Sequence, residues 1–383
     1  MGSLLLLVGL GEGFRTGNRK QLANLGEDVI FIWAGRVPAV QGNLTGLRQY
    51  YLTYQDWLDI KNEARNVRNS APVISRGDLR SVSDFNSTGG QVMGVPANFN
   101  TIRYLPMKTG RWLNDADDTQ KTRVAVLGDE SRRILFGGQP AVGSTILMNG
   151  VRFEVVGVQE RIGHGDNVGP NLRIFIPFET MRTLFPVKET DKPDAISMIN
   201  YQPLTRDRNE LAKQDVHKII ARNHQFDWRD KDAFDEWDTI KSYDMVGKIF
   251  DAMDMFLGGV GLVTLALGAI GIINIMLVAV TERTPEIGLR KALGATNRSI
   301  LFQFFAEGAF LTLISGGIGM AAAAALMAVL GTLPSPPGFD TPKIVASSAA
   351  IAIGSLTVAG VIAGIYPARK AAMLQPVEAL RRE

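Results

Sequence analysis

The chain changes texture near residue 255. Between Glu27 and Asp254 charged residues interrupt every apolar stretch, whereas from Phe256 onward long charge-free runs take over. A helix needs about 20 apolar residues to cross the hydrocarbon core of a bilayer. Phe256–Val280 meets that length without a charge, Ile300–Leu330 meets it with a single acid, Glu307, and Ile344–Tyr366 is a third such run. Gly268, Gly271, Gly316, Gly317, Gly360 and Gly364 punctuate these runs. Small side chains let membrane helices approach closely, so their faces predict helix–helix packing. Ser3–Leu10 is apolar too, but Glu12, Arg15, Arg19 and Lys20 follow at once. About ten residues cannot cross ~30 Å as a helix. Residues 1–13 therefore read as the outer part of a truncated first transmembrane segment.

Loop charge sets the orientation. Arg283, Arg290, Lys291 and Arg298 lie between the first two complete runs, and Arg369, Lys370, Arg381 and Arg382 follow the last. The loop from Gly331 to Lys343 carries four prolines and only Lys343 as a base. Basic loops stay in the cytoplasm, which puts the region before Phe256 on the outer side. The expected fold class is an α-helical membrane protein with three complete transmembrane helices plus a truncated first one. A large mixed α+β extracytoplasmic domain is inserted between them.

Within that domain, Thr53 can cap a helix over Tyr54–Ala64, anchored by Trp57, Leu58 and Ile60. Ser144–Met148 and Arg152–Val158 alternate as strands around Asn149-Gly150, the strongest short hairpin signal. Arg123–Leu127, Leu172–Ile176 and Ala195–Asn200 read as further strands, and Arg206–Arg222 as a helix through Leu211, Val216, Ile219 and Ile220. Helical stalks are expected at 14–26 and 240–255, flanking a core domain at 27–239 and leading to a membrane-spanning region at 256–383.

Composition then removes several chemistries. The 383 residues carry a formal charge of +3, too small to suggest nucleic-acid binding, and no cysteine, so neither disulfides nor thiolate metal sites arise. His164, His217 and His224 do not make a multi-histidine metal site plausible. No G-x-x-x-x-G-K-[ST] run is present to cradle phosphates, so no catalytic, cofactor or metal residues are expected. His164 and Asp166 share the glycine-rich loop 163–169 but lack an activated nucleophile, and a loop tip is the simpler account. Glu307, an acid inside a span, is a functional candidate by default; near the cytoplasmic end it is expected to reach interfacial water or Gln303.

The cytoplasmic loop reads Thr281-Glu282-Arg283-Thr284-Pro285-Glu286-Ile287-Gly288-Leu289-Arg290-Lys291-Ala292-Leu293-Gly294-Ala295. It predicts a short amphipathic helix at the membrane face, with Ile287, Leu289 and Leu293 as its apolar contact set and Gly294 at its C-terminus. The segment closely resembles the coupling region of the MacB/FtsX-type ABC permeases, E-R-x-x-E-I-G-[LI]-R-[KR]-A-[LI]-G-A. Tyr366–Ala372 with Pro376–Arg381 is similar to that family's C-terminal signature. Val124–Gly128, Leu135–Gly138 and Asn149–Val158 are similar to its periplasmic core domain. The resemblance implies a four-span, multi-pass protein of the bacterial inner membrane with no fused ATPase. It implies a separate ATPase subunit that binds the ATP, a second permease copy or paralogue, and a periplasmic adaptor as a further candidate partner. Glu282, Arg283, Glu286, Ile287, Gly288, Leu289, Arg290, Lys291 and Gly294 are implied to be the coupling positions. Efflux or mechanotransmission of macrolide, peptide or lipoprotein type is the expected function. An FtsX-like regulator of a cell-wall hydrolase is the alternative.

Overall fold

A computed structural model of the chain describes residues 2–23, 28–40, 43–162, 169–333, 339–341 and 346–374. Two compact units emerge, one of Arg19–Met245 and one of Met1–Asn18 with Val246–Glu383.

The Arg19–Met245 unit is built on one long mixed sheet. In its first half lie β1 (Ile30–Ala34), β2 (Arg36–Val40), β3 (Asn43–Gln49), β4 (Val67–Arg76), β5 (Ser81–Val82), β6 (Ser87–Thr88) and β7 (Val92–Val95). Then come β8 (Met107–Gly110), β9 (Val124–Leu127), β10 (Thr145–Met148), β11 (Val151–Gln159), β12 (Ile174–Pro177), β13 (Met198–Pro203) and β14 (Phe234–Asp238). The strand order is β14-β1-β13-β4-β7-β12-β9-β11-β10-β5-β6, with β8 also on β11 and β2–β3 a separate pair. β7–β12 and β9–β11 are parallel and their neighbours antiparallel.

Both faces of this sheet are covered, and side chains alternate between two cores. Ile30, Ile32, Ala125, Leu127, Ile174 and Ile176 enter one core; Phe31, Val124, Val126 and Phe175 enter the other. Burial on both sides explains why Val124–Leu127 and Ile174–Pro177 are apolar without interruption. The first core is closed by helices that include α2 (Tyr54–Glu63), α5 (Asp129–Phe136), α6 (Phe178–Leu184) and α7 (Asn209–His224); α3 (Phe99–Ile102) contributes to the second, and the short α4 (Asp115–Thr119) lies between β8 and β9 in the chain.

Several local expectations hold. Thr53 and Asp56 form a reciprocal capping box at the start of α2. Asn149 and Gly150 both take positive φ between β10 and β11, as a two-residue hairpin turn requires. Others shift. Leu172 is not in a strand: Gly169–Leu172 is a 3-10 turn, because the Asn171 side chain trades two 2.9 Å hydrogen bonds with the Ile162 backbone. β13 starts at Met198, not Ala195, which makes only an isolated bridge to Thr53. In α7, Leu211 faces solvent and Ala212 takes the buried position, so the apolar face begins one residue later than the larger side chain suggests.

The second unit contains α1 (Gly2–Ala23), α8 (Thr239–Glu282), α9 (Thr284–Ala292), α10 (Asn297–Thr332) and α11 (Ala346–Ala372), of which α8 begins in the sheet unit. α8 and α10 are long and apolar enough to cross a membrane, and their most apolar windows are only 11% and 17% buried. A core helix of a soluble protein would be covered on those faces; these present oily surface outward. α11 is helical over the third apolar run. α1 packs on α8 through Phe14 against Phe250, with Arg15 near Asp251 and Asp254.

α10 and α11 meet along a seam of small residues at four-residue spacing. Gly308 faces Gly364, Thr312 faces Gly360 and Leu356 lies over Gly316. A methyl added at Gly360 would sit 2.8 Å from Thr312 Cγ2, and one at Gly308 would sit 3.4 Å from the Gly364 backbone. Close backbone approach of this kind suits helices that gain nothing from hydrophobic contact in lipid.

One buried carboxylate ties α2 to α7. Asp56 is fully buried; its oxygens accept from the Thr53 amide at 2.7 Å and Asn223 Nδ2 at 2.9 Å, and lie 2.8 Å from His224 Nε2. Burial acts to raise its pKa, but the bonds from His224, Asn223 and Thr53 outweigh it and hold the carboxyl below the ordinary range. A carboxyl with a depressed folded-state pKa gives stability that is complete above its unfolded value, about pH 4, and is lost as pH falls through the depressed value. Asp56→Asn is therefore expected to lower the unfolding midpoint at neutral pH and to flatten its acid limb below about pH 4. Thermal melts followed by near-ultraviolet circular dichroism would show both, and an unchanged acid limb would contradict the assignment.

Candidate functional site

The segment between α8 and α10 is short, and five of its nine motif positions are buried or bonded inside the helical unit. Pro285 occupies the first turn of α9, where a missing N–H costs nothing, and Gly294 takes φ +99° just beyond the helix. Thr296 then caps α10 through the Ser299 amide. The helix is thus bounded at both ends by its own sequence.

Three contacts seat α9 in a cradle. Ile287, 2% exposed, enters a small core with Met276 and Val280 of α8, Ile300 and Phe304 of α10, and Ala368 and Ala371 of α11. Two arginines reach α10: Arg283 Nη1 lies 3.3 Å from Glu307 Oε1, and Arg290 Nη1 donates to Gln303 Oε1 at 2.7 Å. Lys291 Nζ donates to the carbonyls of Ala372 at 2.5 Å and Leu374 at 2.7 Å, closing the C-terminal end of α11. A lysine there satisfies carbonyls left open by the helix end and complements its dipole. Thr284 and Gly288 are buried in the same seat.

The cradle divides the nine coupling positions. Arg283, Ile287, Gly288, Arg290 and Lys291 face inward or are bonded to neighbouring helices. Glu282, Glu286, Leu289 and Gly294 are exposed. The expectation that Ile287, Leu289 and Leu293 form one contact set is corrected: Leu289 is 55% exposed and Leu293 81%. At 3.6 residues per turn, position 289 lies roughly opposite 287, whereas 289 and 293 are neighbours on one face. The helix has two apolar faces, one filled and one bare. Glu307 is likewise reassigned: it meets Arg283, while Gln303 is taken by Arg290.

Residues 1–218 match the family of the MacB-like periplasmic core domain, and residues 258–376 match the FtsX-like permease C-terminal family. The chain belongs to the MacB/FtsX-type ABC permease family. The second match contains the whole of α9 and its cradle. Among relatives, the macrolide export ATP-binding/permease protein MacB of Bdellovibrio bacteriovorus is 32% identical, over 98% of this chain and 57% of its own length. The pyoverdine export ATP-binding/permease protein PvdT of Pseudomonas syringae pv. syringae is 30% identical, over all of this chain and 55% of its own. The uncharacterized ABC transporter permease YknZ of Bacillus subtilis is 27% identical, over all of this chain and 92% of its own. The chain therefore spans just over half the length of the MacB and PvdT relatives and nearly all of YknZ. MacB/FtsX permeases are membrane proteins, and the exposed oily faces of α8 and α10 accord with that.

The remaining candidates do not join this site. His164, Asp166 and Pro376–Arg381 lie outside the described residues. His217 Nε2 lies 2.7 Å from Glu236 in the sheet unit, and His224 belongs to the Asp56 cluster. Sequence reasoning missed the Lys291 cap, whose partners lie about 80 positions away and leave no local signal.

The chain has no cysteine, so single replacements report accessibility directly. Leu289→Cys and Leu293→Cys are expected to react fully with a water-soluble maleimide in detergent, and Ile287→Cys at least about tenfold more slowly. Equal rates at 287 and 293 would show that α9 does not sit in the cradle.

Proposed function

We propose that this chain is the permease subunit of an ABC transporter, driven by a separate ATPase subunit that holds ATP and grips the bare face of α9. The cradle is the observation that supports the reading. α9 offers Glu282, Glu286, Leu289 and Leu293 to a partner while Ile287, Arg283, Arg290 and Lys291 tie it to α8, α10 and α11. A push on the bare face reaches all three helix ends together.

The loop charges favour a cytoplasmic α9 and an outer sheet unit. α8 has 44 residues, roughly 66 Å of helix at 1.5 Å per residue, about twice the ~30 Å of hydrocarbon. The excess extends beyond the bilayer as a stalk, and α1 runs beside it through Phe14 and Arg15. In this reading, ATP-driven closure of two partner subunits moves two permease copies, and the stalks deliver the displacement to the outer domain of a four-span permease. Macrolide and pyoverdine export by the named relatives make efflux the favoured outcome.

The test separates docking from transmission. Glu286→Arg combined with Leu293→Asp should abolish co-purification of the partner ATPase and lower its stimulation by about tenfold or more, since truncating interface charge pairs costs ~2–5 kcal/mol. Lys291→Met should leave co-purification intact but weaken the stimulation, because the grip survives and the link to α11 does not. Full stimulation by the double variant would overturn the assignment.

A further inference from the structure

A second feature lies in the sheet unit. The row Trp237–Phe31–Asn200 crosses β14, β1 and β13 in direct register. Phe31 stacks on Trp237 at 5.3 Å and on Trp33 at 6.0 Å, so three aromatic rings form one wall. Opposite them are two arginines. Arg103 follows α3 and places its guanidinium carbon 4.7 Å from the Phe31 ring centre; Arg173 precedes β12. Together these residues line a cavity of about 310 Å³.

The polar groups in this cavity are mismatched as a protein core but matched as a receptor. Arg103 is buried and its Nε has no partner; Asn200 is fully buried with neither Oδ1 nor Nδ2 bonded. Arg173 uses Nε on Gln91 and forms no ion pair with a described residue. Leaving buried polar atoms unpaired is costly, and most costly for a charged group. Burial, with the charge of Arg173 nearby, lowers the Arg103 pKa to about 9, so it still carries its proton at neutral pH. Two uncompensated guanidiniums demand an anion, Asn200 offers both a donor and an acceptor, and the aromatic wall demands a flat apolar body. A volume near the lower end for ligand pockets, ~300–1,000 Å³, fits one small molecule.

We infer that the sheet unit binds a small organic carboxylate with an aromatic body, its carboxylate held by Arg103 and Arg173 and its ring against Phe31, Trp33 and Trp237. The acid anion accepts charge-assisted hydrogen bonds from both guanidiniums, the strong kind in a site away from water. Asn200 Nδ2 donates to the same group or to a ring substituent. Neither α9 nor an ATPase enters this site, so it goes beyond the coupling reading and can fail or hold independently of it.

Naphthalene-2-carboxylate is a suitable probe, and naphthalene-2-carboxamide its uncharged control. The full chain in detergent micelles should bind the carboxylate in isothermal titration calorimetry, after subtraction of empty micelles, and its unfolding midpoint should rise with probe concentration. The carboxamide should bind at least about tenfold more weakly. Arg103→Met should abolish carboxylate binding while leaving the ligand-free midpoint unchanged or higher, because it removes an unpaired buried charge. Asn200→Leu should weaken binding severalfold with the same stability signature. No binding by the wild type, equal binding of the two probes, or a lower ligand-free midpoint in Arg103→Met would each overturn the inference; the last would mark Arg103 as a structural support.

Discussion

α9 cannot move alone. Ile287, the single buried apolar side chain of α9, is shared among three helix ends, and Arg283 just before the helix, Arg290 and Lys291 are each committed to a different acceptor on α10 or at the end of α11. Arg283 and Glu307 are partly exposed, so that pair by itself is worth little in water. Lys291 matters more, because it satisfies two backbone carbonyls at a helix end. The combined effect is attachment: a nine-residue helix is tied to all three of the long ones. Everything proposed about energy transfer follows from that attachment.

The sheet unit is organised by a different constraint. A mixed sheet covered on both faces has few places for polar side chains, and most that enter are paired, as Asp56 is with Thr53, Asn223 and His224. Glu236 is similar: burial would raise its pKa, but His217 and Lys213 hold it below the usual range. Arg103 and Asn200 are among the buried groups that lack a partner, and these two line the same cavity beside Phe31.

What could be read from the sequence followed from how local each signal is. The Thr53–Asp56 box and the Asn149-Gly150 turn are complete within four residues, and the bilayer-length runs within about 25. Both were legible. The end of α9 was legible from Gly294, but its orientation was not, because Ile287 and Leu289 look equally apolar and only packing distinguishes them. The Arg283–Glu307 and Lys291–Ala372 contacts join positions that the chain separates widely. The aromatic and basic walls of the cavity come from β1, β14, the end of α3 and the approach to β12, so no window of sequence contains them.

The seam between α10 and α11 has a consequence for how closely the two helices must stay in contact. Backbone and methyl groups have no rotamers to lose on contact, and dispersion at such short range falls steeply: a gap of ~0.5–1 Å forfeits a quarter to a half of it. Gly308 against Gly364 and Gly360 against Thr312 therefore leave little room for an added carbon, and widening the seam by less than an ångström would already cost much of the attraction that holds α10 to α11.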